Sequence, residues 1–298
     1  MKRIFFFAAL ALLLVSCNKD ENVTPFGGNT VTVNLKFNGI RFYQQEMKSA
    51  SKDGVTADSA GVSYIALAAF NATTGTKVLD TIHCTQDTNP DNFSIKIKAG
   101  TYIFVAVGLR YAPHESFEIQ SPILVTAQSQ AVIYEMFTQV DTITLGANPV
   151  ENLSMTLNRA VAGFRIISTT PAPATADRLV VTVGDTTGTK YTSWSLNPNT
   201  LLSNLTGGYL ERSWHYSTET RQNPDQRFAL LLGANPDTLD VGIKVLDVNS
   251  EVIYDHYFND VPFRINRYTV AEGPLFDVGG NFTFSFNNQW DDDYHIDW

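Results

Sequence analysis

The chain has 298 residues, of which 44% are hydrophobic and 12% aromatic. That composition is sufficient for a packed core and excludes a largely disordered protein. The formal net charge is −9 at pH 7, so neither nucleic acid nor an anionic lipid surface is an expected partner.

The N-terminal segment predicts an export signal. Lys2 and Arg3 precede an apolar run over residues 4–15, which is shorter than the roughly 20 residues needed to span a bilayer. We therefore predict a signal peptide over residues 1–16 that is removed, and the residues before Cys17 resemble a bacterial lipobox. The resemblance implies cleavage before Cys17 and acylation of that residue. An ordinary signal peptide with an incidental cysteine is the alternative.

A charged tether follows the cysteine over residues 17–30. Lys19, Asp20 and Glu21 resemble the surface-export signal of Bacteroidota lipoproteins, which implies transport to the outer face of the outer membrane. A solvated charged tether is a compatible alternative. With Cys17 carrying lipid, Cys84 is the only other cysteine, so no intramolecular disulfide is expected.

Alternation of apolar and polar residues then predicts β-strands throughout the first half of the chain. The run over residues 101–108 is apolar on both faces and is predicted to be a central strand. The other predicted strands cover residues 31–37, 63–71, 77–82, 93–97, 123–125, 131–136 and 153–157.

The same pattern restarts after residue 158. A long polar stretch over residues 184–226 interrupts it, and residues 248–251 predict a hairpin turn. Strands are predicted at residues 161–167, 179–183, 228–232, 241–248, 252–258, 268–270 and 282–286. Short strands with many turn signals favour an all-β fold of two sandwiches. We place them at residues 31–158 and 159–279, followed by a C-terminal strand and acidic tail over residues 280–298.

Three segments resemble the fimbrillin-like and minor fimbrial subunit family of Bacteroidota. Residues 98–107 (KAGTYIFVAV) resemble a central strand of its first domain. Residues 155–166 (MTLNRAVAGFRI) resemble its inter-domain strand, and residues 267–276 (RYTVAEGPLF) resemble the end of its second domain. The resemblance implies two tandem transthyretin-like β-sandwich domains, and partners that are other fimbrial subunits joined by strand complementation.

The C-terminal strand is a candidate donor strand, because Phe282, Phe284 and Phe286 alternate with polar residues after two glycines. The alternative is that it completes the chain's own second sandwich, since alternation does not choose the acceptor sheet. Arg41 resembles the protease site of polymerising subunits; the alternative is a surface arginine in a loop. We expect this chain to keep its first strand and its lipid.

No catalytic motif is found for nucleophilic, metal-dependent or phosphate chemistry, so no enzyme activity and no cofactor are predicted. The acidic tail over residues 291–297 could offer oxygen ligands to calcium, but it lacks the spacing and glycine of an EF-hand loop. A solvated acidic terminus is the interpretation adopted here, and no metal site is predicted.

Four aromatic residues of the polar stretch are candidate ligand contacts, namely Trp194, Tyr209, Trp214 and Tyr216. Exposed aromatics can stack on sugars or anchor a protein partner, whereas the alternative is that they cover the open end of the sandwich.

Two candidate functions follow from the sequence. The first is a lipid-anchored outer-membrane fimbrial anchor or minor subunit acting in adhesion. The second is a surface glycan-binding lipoprotein of a polysaccharide-uptake system.

Overall fold

The computed structural model describes residues 29–38, 62, 64–85, 93–109, 117–127, 135–146, 148, 150–234, 237–277 and 281–287. Within these ranges the fold is all-β, with one short helix, α1 (Thr218–Gln222). Ser217 caps that helix by accepting a hydrogen bond from the Thr220 backbone N–H. The described part of the chain contains no helix long and apolar enough to cross a membrane.

Ten strands come from the first half of the chain. They are β1 (Thr30–Asn38), β2 (Tyr64–Asn71), β3 (Lys77–Thr85), β4 (Phe93–Lys98), β5 (Gly100–Leu109), β6 (Phe117–Ser121), β7 (Leu124–Ala127), β8 (Met136–Leu145), β9 (Val150–Thr156) and β10 (Asn158–Arg159).

Eleven strands come from the second half. They are β11 (Ala162–Ser168), β12 (Arg178–Gly184), β13 (Thr189–Lys190), β14 (Trp194–Asn197), β15 (Leu202–Ser203), β16 (Gly208–His215), β17 (Asp225–Leu230), β18 (Asp237–Leu246), β19 (Val252–Phe263), β20 (Tyr268–Gly273) and β21 (Thr283–Asn287).

The first half forms a sandwich of two sheets with strand orders β4-β1-β9 and β10-β8-β5-β2-β3. Alternate side chains of each strand point into the space between the sheets, as the period of 2 requires. The core formed there includes Leu35 of β1, Leu67 of β2 and Phe104 of β5, all at most 2% exposed. β5 lies between β8 and β2, which confirms the central strand predicted at residues 101–108.

The second half forms a sandwich of sheets with strand orders β17-β11-β20-β21 and β13-β16-β12-β18-β19. Aromatic rings join the two layers: Phe164 of β11 lies 5.9 Å from Phe263 of β19, centroid to centroid. Trp214 of β16 lies 5.9 Å from Phe228 of β17. These rings and the buried aliphatic residues of β12 and β18 form the core of this half.

A fifth sheet, the bridging sheet, combines strands from both halves in the order β15-β14-β7-β6. Trp194 pairs with Ala127, and Leu196 pairs with Val125. Buried side chains of this sheet belong to the same apolar cluster as Val105 and Val107 of β5. The sheet containing β5 is therefore buried on both faces, once by the first sandwich core and once by the bridging sheet.

The predicted hairpin turn at residues 248–251 is confirmed between β18 and β19. The Asp247 carboxylate accepts hydrogen bonds from the backbone N–H groups of Asn249 and Glu251, and Ser250 adopts a φ of 66°. Sequence analysis predicted no strand in residues 184–226, whereas the structure has β13 to β16 there. β13, β14 and β15 have two to four residues, so they present too few alternations to be recognised. β16 has eight residues, but its sequence GYLERSWH does not alternate apolar and polar residues.

The predicted domain boundary between residues 158 and 159 falls inside β10, which pairs with β8 of the first half. The division into an N-terminal sandwich over residues 31–158 and a C-terminal sandwich over residues 159–279 stays a prediction. In the structure, the bridging sheet and β10 tie the two sets of strands together.

Candidate functional site

The first strand of the fold is an inner strand. β1 pairs antiparallel with β4 on one side and parallel with β9 on the other. Its inward side chains, Val31, Val33, Leu35 and Phe37, are each at most 3% exposed. Removing β1 would therefore open a groove with four apolar pockets and leave two rows of backbone groups without partners.

The outward face of β1 is polar and locally ordered. Ser94 of β4 donates its hydroxyl to the Asn34 side-chain oxygen at 3.1 Å, and Asn34 donates to the Asn152 oxygen of β9 at 3.0 Å. The three side chains form a hydrogen-bonded row across the sheet. The row lies in water, so its contribution to stability is small compared with the buried face.

The candidate donor strand lies at a sheet edge. β21 pairs antiparallel with β20, with Phe284 opposite Ala271, and is the outermost strand of its sheet. The Phe282 ring lies 5.1 Å from both the His256 and the Phe258 rings, and Phe284 lies 5.0 Å from Phe258. The chain's own second sandwich thus accepts β21, through half-buried side chains.

Backbone pairing places Phe286 of β21 opposite Thr269 of β20. The glycines before β21 and the acidic tail over residues 288–298 lie outside the described residues. So do Cys17, Lys19, Asp20 and Glu21 of the predicted lipid anchor and export signal, and Arg41 of the predicted processing site. Their roles stay predictions.

The four aromatic residues of the polar stretch occupy different environments. Trp194 is 6% exposed in the bridging sheet, whereas Tyr209, Trp214 and Tyr216 are half-buried on or beside β16. The Tyr216 ring lies 6.0 Å from the Phe276 ring, so it packs against the second sandwich core. Most of the area that a ligand would need on Trp194 is already in contact with the protein. Ligand contact by these residues stays a prediction.

The Tyr216 phenol lies in apolar surroundings beside the second sandwich core. Burial raises the pKa of the Tyr216 phenol well above its ordinary value, while the nearby Arg221 guanidinium acts in the opposite direction. The guanidinium carbon lies 5.9 Å from the centre of the Tyr216 ring. The phenol therefore stays neutral over the physiological range and acts as a packing group.

An ion pair lies at the junction of the two halves. Arg159 of β10 donates from Nε to the Glu135 carboxylate at 2.8 Å and from Nη1 to the Asn266 side-chain oxygen at 2.8 Å. Its guanidinium carbon lies 4.9 Å from the Phe137 ring centre. Glu135 and Phe137 belong to the first half and Asn266 to the second, so Arg159 connects the two sandwiches. Sequence reasoning did not identify this role, because the partners are 24 and 107 residues away.

The described residues contain no group of three or more His, Cys, Asp or Glu side chains that could hold a metal ion.

Comparison with known proteins finds structures with a similar fold but does not assign the chain to a family. No family model matches the sequence, and no curated protein matches it either. A crystal structure of a candidate adhesin from Bacteroides ovatus superimposes with a TM-score of 0.52 at 8% identity, covering 83% of this chain and 88% of that one. The likeness at this identity concerns the fold alone.

Two further structures are more distant. The fimbrial anchor protein Mfa2 from Porphyromonas gingivalis gives a TM-score of 0.45 at 12% identity, covering 87% of this chain and 98% of that one. The tip fimbrial protein Mfa3 from the same organism gives 0.44 at 12% identity, covering 89% and 100%. The solved structures similar to this chain thus include bacterial adhesin and fimbrial folds.

Proposed function

We propose that this protein is a cell-surface fimbrial component, an anchor or minor subunit that acts in adhesion and is held at the outer membrane by lipid on Cys17. The sequence at residues 14–17 supports the lipid, and Lys19, Asp20 and Glu21 support export to the surface. The fold of the candidate adhesin from Bacteroides ovatus supports a role in adhesion.

The observation that carries the anchor assignment is the position of β1. Four of its side chains are almost fully buried, and β4 and β9 pair with it on both sides. Burying four apolar side chains contributes about 1.5–3 kcal/mol each before ordering costs, so a chain that lost β1 would need a donor strand to replace it. A subunit at the membrane end of a fibre keeps its own first strand and stays attached.

Partners in this proposal are other fimbrial subunits joined by strand complementation. A strand that adds to a sheet edge satisfies unpaired backbone groups and places alternate side chains in pockets. β21 is the candidate strand for donation to a neighbouring subunit. It is an outer strand that pairs with β20 on one side, and the side chains of Phe282 and Phe284 are only half-buried.

N-terminal sequencing and intact mass of protein isolated from the cell surface test the retained strand. We expect a chain that begins at acylated Cys17. A mature chain that begins at Phe42 would contradict the anchor assignment, because cleavage after Arg41 would remove both the lipid and β1.

The anchor itself is tested by Cys17→Ala, with Cys84→Ala as the matched control. We expect Cys17→Ala to release the protein from the membrane fraction, while Cys84→Ala remains there. Equal retention of both variants after a carbonate wash would contradict lipid anchoring.

Replacing Lys19, Asp20 and Glu21 with alanine tests the export signal. This variant should keep the lipid and reduce protease accessibility on intact cells.

The fimbrial role is tested separately by shearing fibres from cells and probing the fractions with an antibody. We expect the protein in cross-linked complexes with fimbrial subunits at the cell envelope. Presence at the surface without any cross-link to a fimbrial subunit would contradict this role while leaving the lipid anchor intact.

A further inference from the structure

A pocket lies where the first half meets the Pro198–Asn199 turn of the second half. Its volume is about 230 Å³, below the roughly 300 Å³ at which pockets for drug-sized ligands begin, so it suits one ring-sized group. The residues that line it are Thr138, Gln139, Val140, Asn158, Pro198, Asn199 and Leu201.

The lining is polar but uncharged. Three residues with side-chain amides line the pocket, together with Thr138 and the apolar residues Val140, Pro198 and Leu201. Thr138 is 1% exposed, and its hydroxyl donates to the Pro198 carbonyl oxygen at 3.2 Å. An amide group offers both donors and acceptors, which is the combination that matches the hydroxyl groups of a polyol. None of the lining residues is charged, so the pocket offers no ion-pair partner and suits a neutral ligand.

Hydrogen bonds within the protein hold these amides in place. Asn158 donates to the Gln139 side-chain oxygen at 2.9 Å, and Gln139 donates to the Asp141 carboxylate at 2.7 Å. Asn199 of the second half donates to the Pro122 carbonyl oxygen at 3.2 Å. Each of these bonds uses only part of the capacity of Asn158 and Asn199, so both amides retain groups for a ligand while their orientation is fixed.

The backbone of β8 supplies a further pair of groups. The Ala160 N–H donates to the Met136 carbonyl oxygen, and Asn158 pairs with Thr138. The backbone N–H and C=O groups of the even-numbered residues of β8 therefore point toward β10. Val140 is the next such residue, and β10 ends before reaching it. By the alternation of an antiparallel ladder, the N–H and C=O groups of Val140 point from the open edge of β8 toward the pocket side.

We propose that this pocket binds one ring of a neutral sugar. The amides of Asn158 and Asn199 and the backbone of Val140 bind its hydroxyl groups, and the half-buried side chain of Leu201 contacts its C–H surface. An extended peptide strand is the less favoured occupant, because Asp141 lies in the middle of the open edge and charged edge residues oppose strand addition. The site rests on the pocket alone and is independent of the fimbrial proposal.

Saturation-transfer NMR on the purified protein tests the site. The probes are methyl α-mannoside, methyl β-galactoside, methyl α-fucoside and N-acetylglucosamine, with glucuronate as the charged comparison. We expect transfer to at least one neutral sugar and little to glucuronate. Absence of transfer to all four neutral sugars, or equal transfer to glucuronate, would overturn the proposal.

Two variants test whether the sugar binds in this pocket. Asn158→Ala changes the side of the pocket formed by the first half, and Asn199→Ala changes the side formed by the second half. Both side chains are exposed, so the variants are expected to fold, and thermal unfolding verifies this. Each should weaken binding about tenfold, which corresponds to one or two lost hydrogen bonds.

Asn152→Ala, on the outer face of the β4-β1-β9 sheet, is the matched amide control and should bind as the wild type does. Unchanged binding in both pocket variants would refute the site. If a seven-residue Thr/Val peptide binds and protects the amides of β8 from exchange, the edge is a strand-docking site instead. Failure here would leave the anchoring and cross-linking results unaffected.

Discussion

β1 and β21 look alike in sequence but hold opposite positions in the fold. Both alternate apolar and polar residues, as in VTVNLKF and FTFSF. β1 has a strand on each side and buries its apolar face to 3% exposure or less, whereas β21 has one neighbouring strand and half-buried rings. The free energy that each strand contributes is therefore set by its neighbours rather than by its own pattern.

The largest expected effect is in β1. Leu35→Ala should lower the free energy of unfolding by about 2–5 kcal/mol, because it leaves a cavity between the two sheets of the first sandwich. Urea unfolding followed by circular dichroism and fluorescence measures the change. A loss below about 1 kcal/mol would mean that β1 is not held as its burial implies.

Phe284→Ala is the corresponding change in β21. The ring is half-buried and contacts Phe258 from one side, so we expect a loss of about 1–2 kcal/mol, below the value for a fully buried phenylalanine. The same urea experiment measures this loss in the free energy of unfolding. If this loss equals or exceeds that of Leu35→Ala, the proposed difference between the two strands is incorrect.

Asn34→Ala separates the two faces of β1. Its side chain bonds Ser94 and Asn152 in water, so its loss should cost only about 0.5–1 kcal/mol. A similar cost for Asn34→Ala and Leu35→Ala would show that the outer row, and not the buried face, holds the strand.

Neither strand contains Asp, Glu or His. Acid sensitivity is expected elsewhere, for example at Asp185 between β12 and β13. The Thr187 hydroxyl donates to the Asp185 carboxylate at 2.6 Å, and this bond, with the Thr187 backbone N–H, lowers the pKa of Asp185 below its ordinary value.

A lowered pKa means that the ionised carboxylate is favoured in the folded state. Its contribution to stability is present above the ordinary aspartate value of about 3.9 and is lost as the pH falls below it. Thr187→Val should therefore be slightly less stable than the wild type at neutral pH, and the difference should shrink in acid. Urea midpoints at neutral and acidic pH measure this; a difference that does not change with pH would argue against the bond.

Local sequence determined several features that the structure confirms. The all-β class, the central position of β5 and the turn at residues 248–251 follow from patterns within a single segment. An alternating strand specifies which side chains share a face, and Asp247 specifies the turn that its carboxylate closes. The predicted signal over residues 1–16 is of the same local kind, although it lies outside the described residues.

Tertiary structure decided which strands are neighbours. Backbone N–H and C=O groups are the same in every residue, so alternation does not say that β14 pairs with β7 or that β21 pairs with β20. The bridging sheet, the Arg159 ion pair and the pocket beside Asn158 and Asn199 all join residues far apart in the chain. Sequence alone determined most of the strands and their faces, and long-range packing determined which of them are buried and which remain open to a partner.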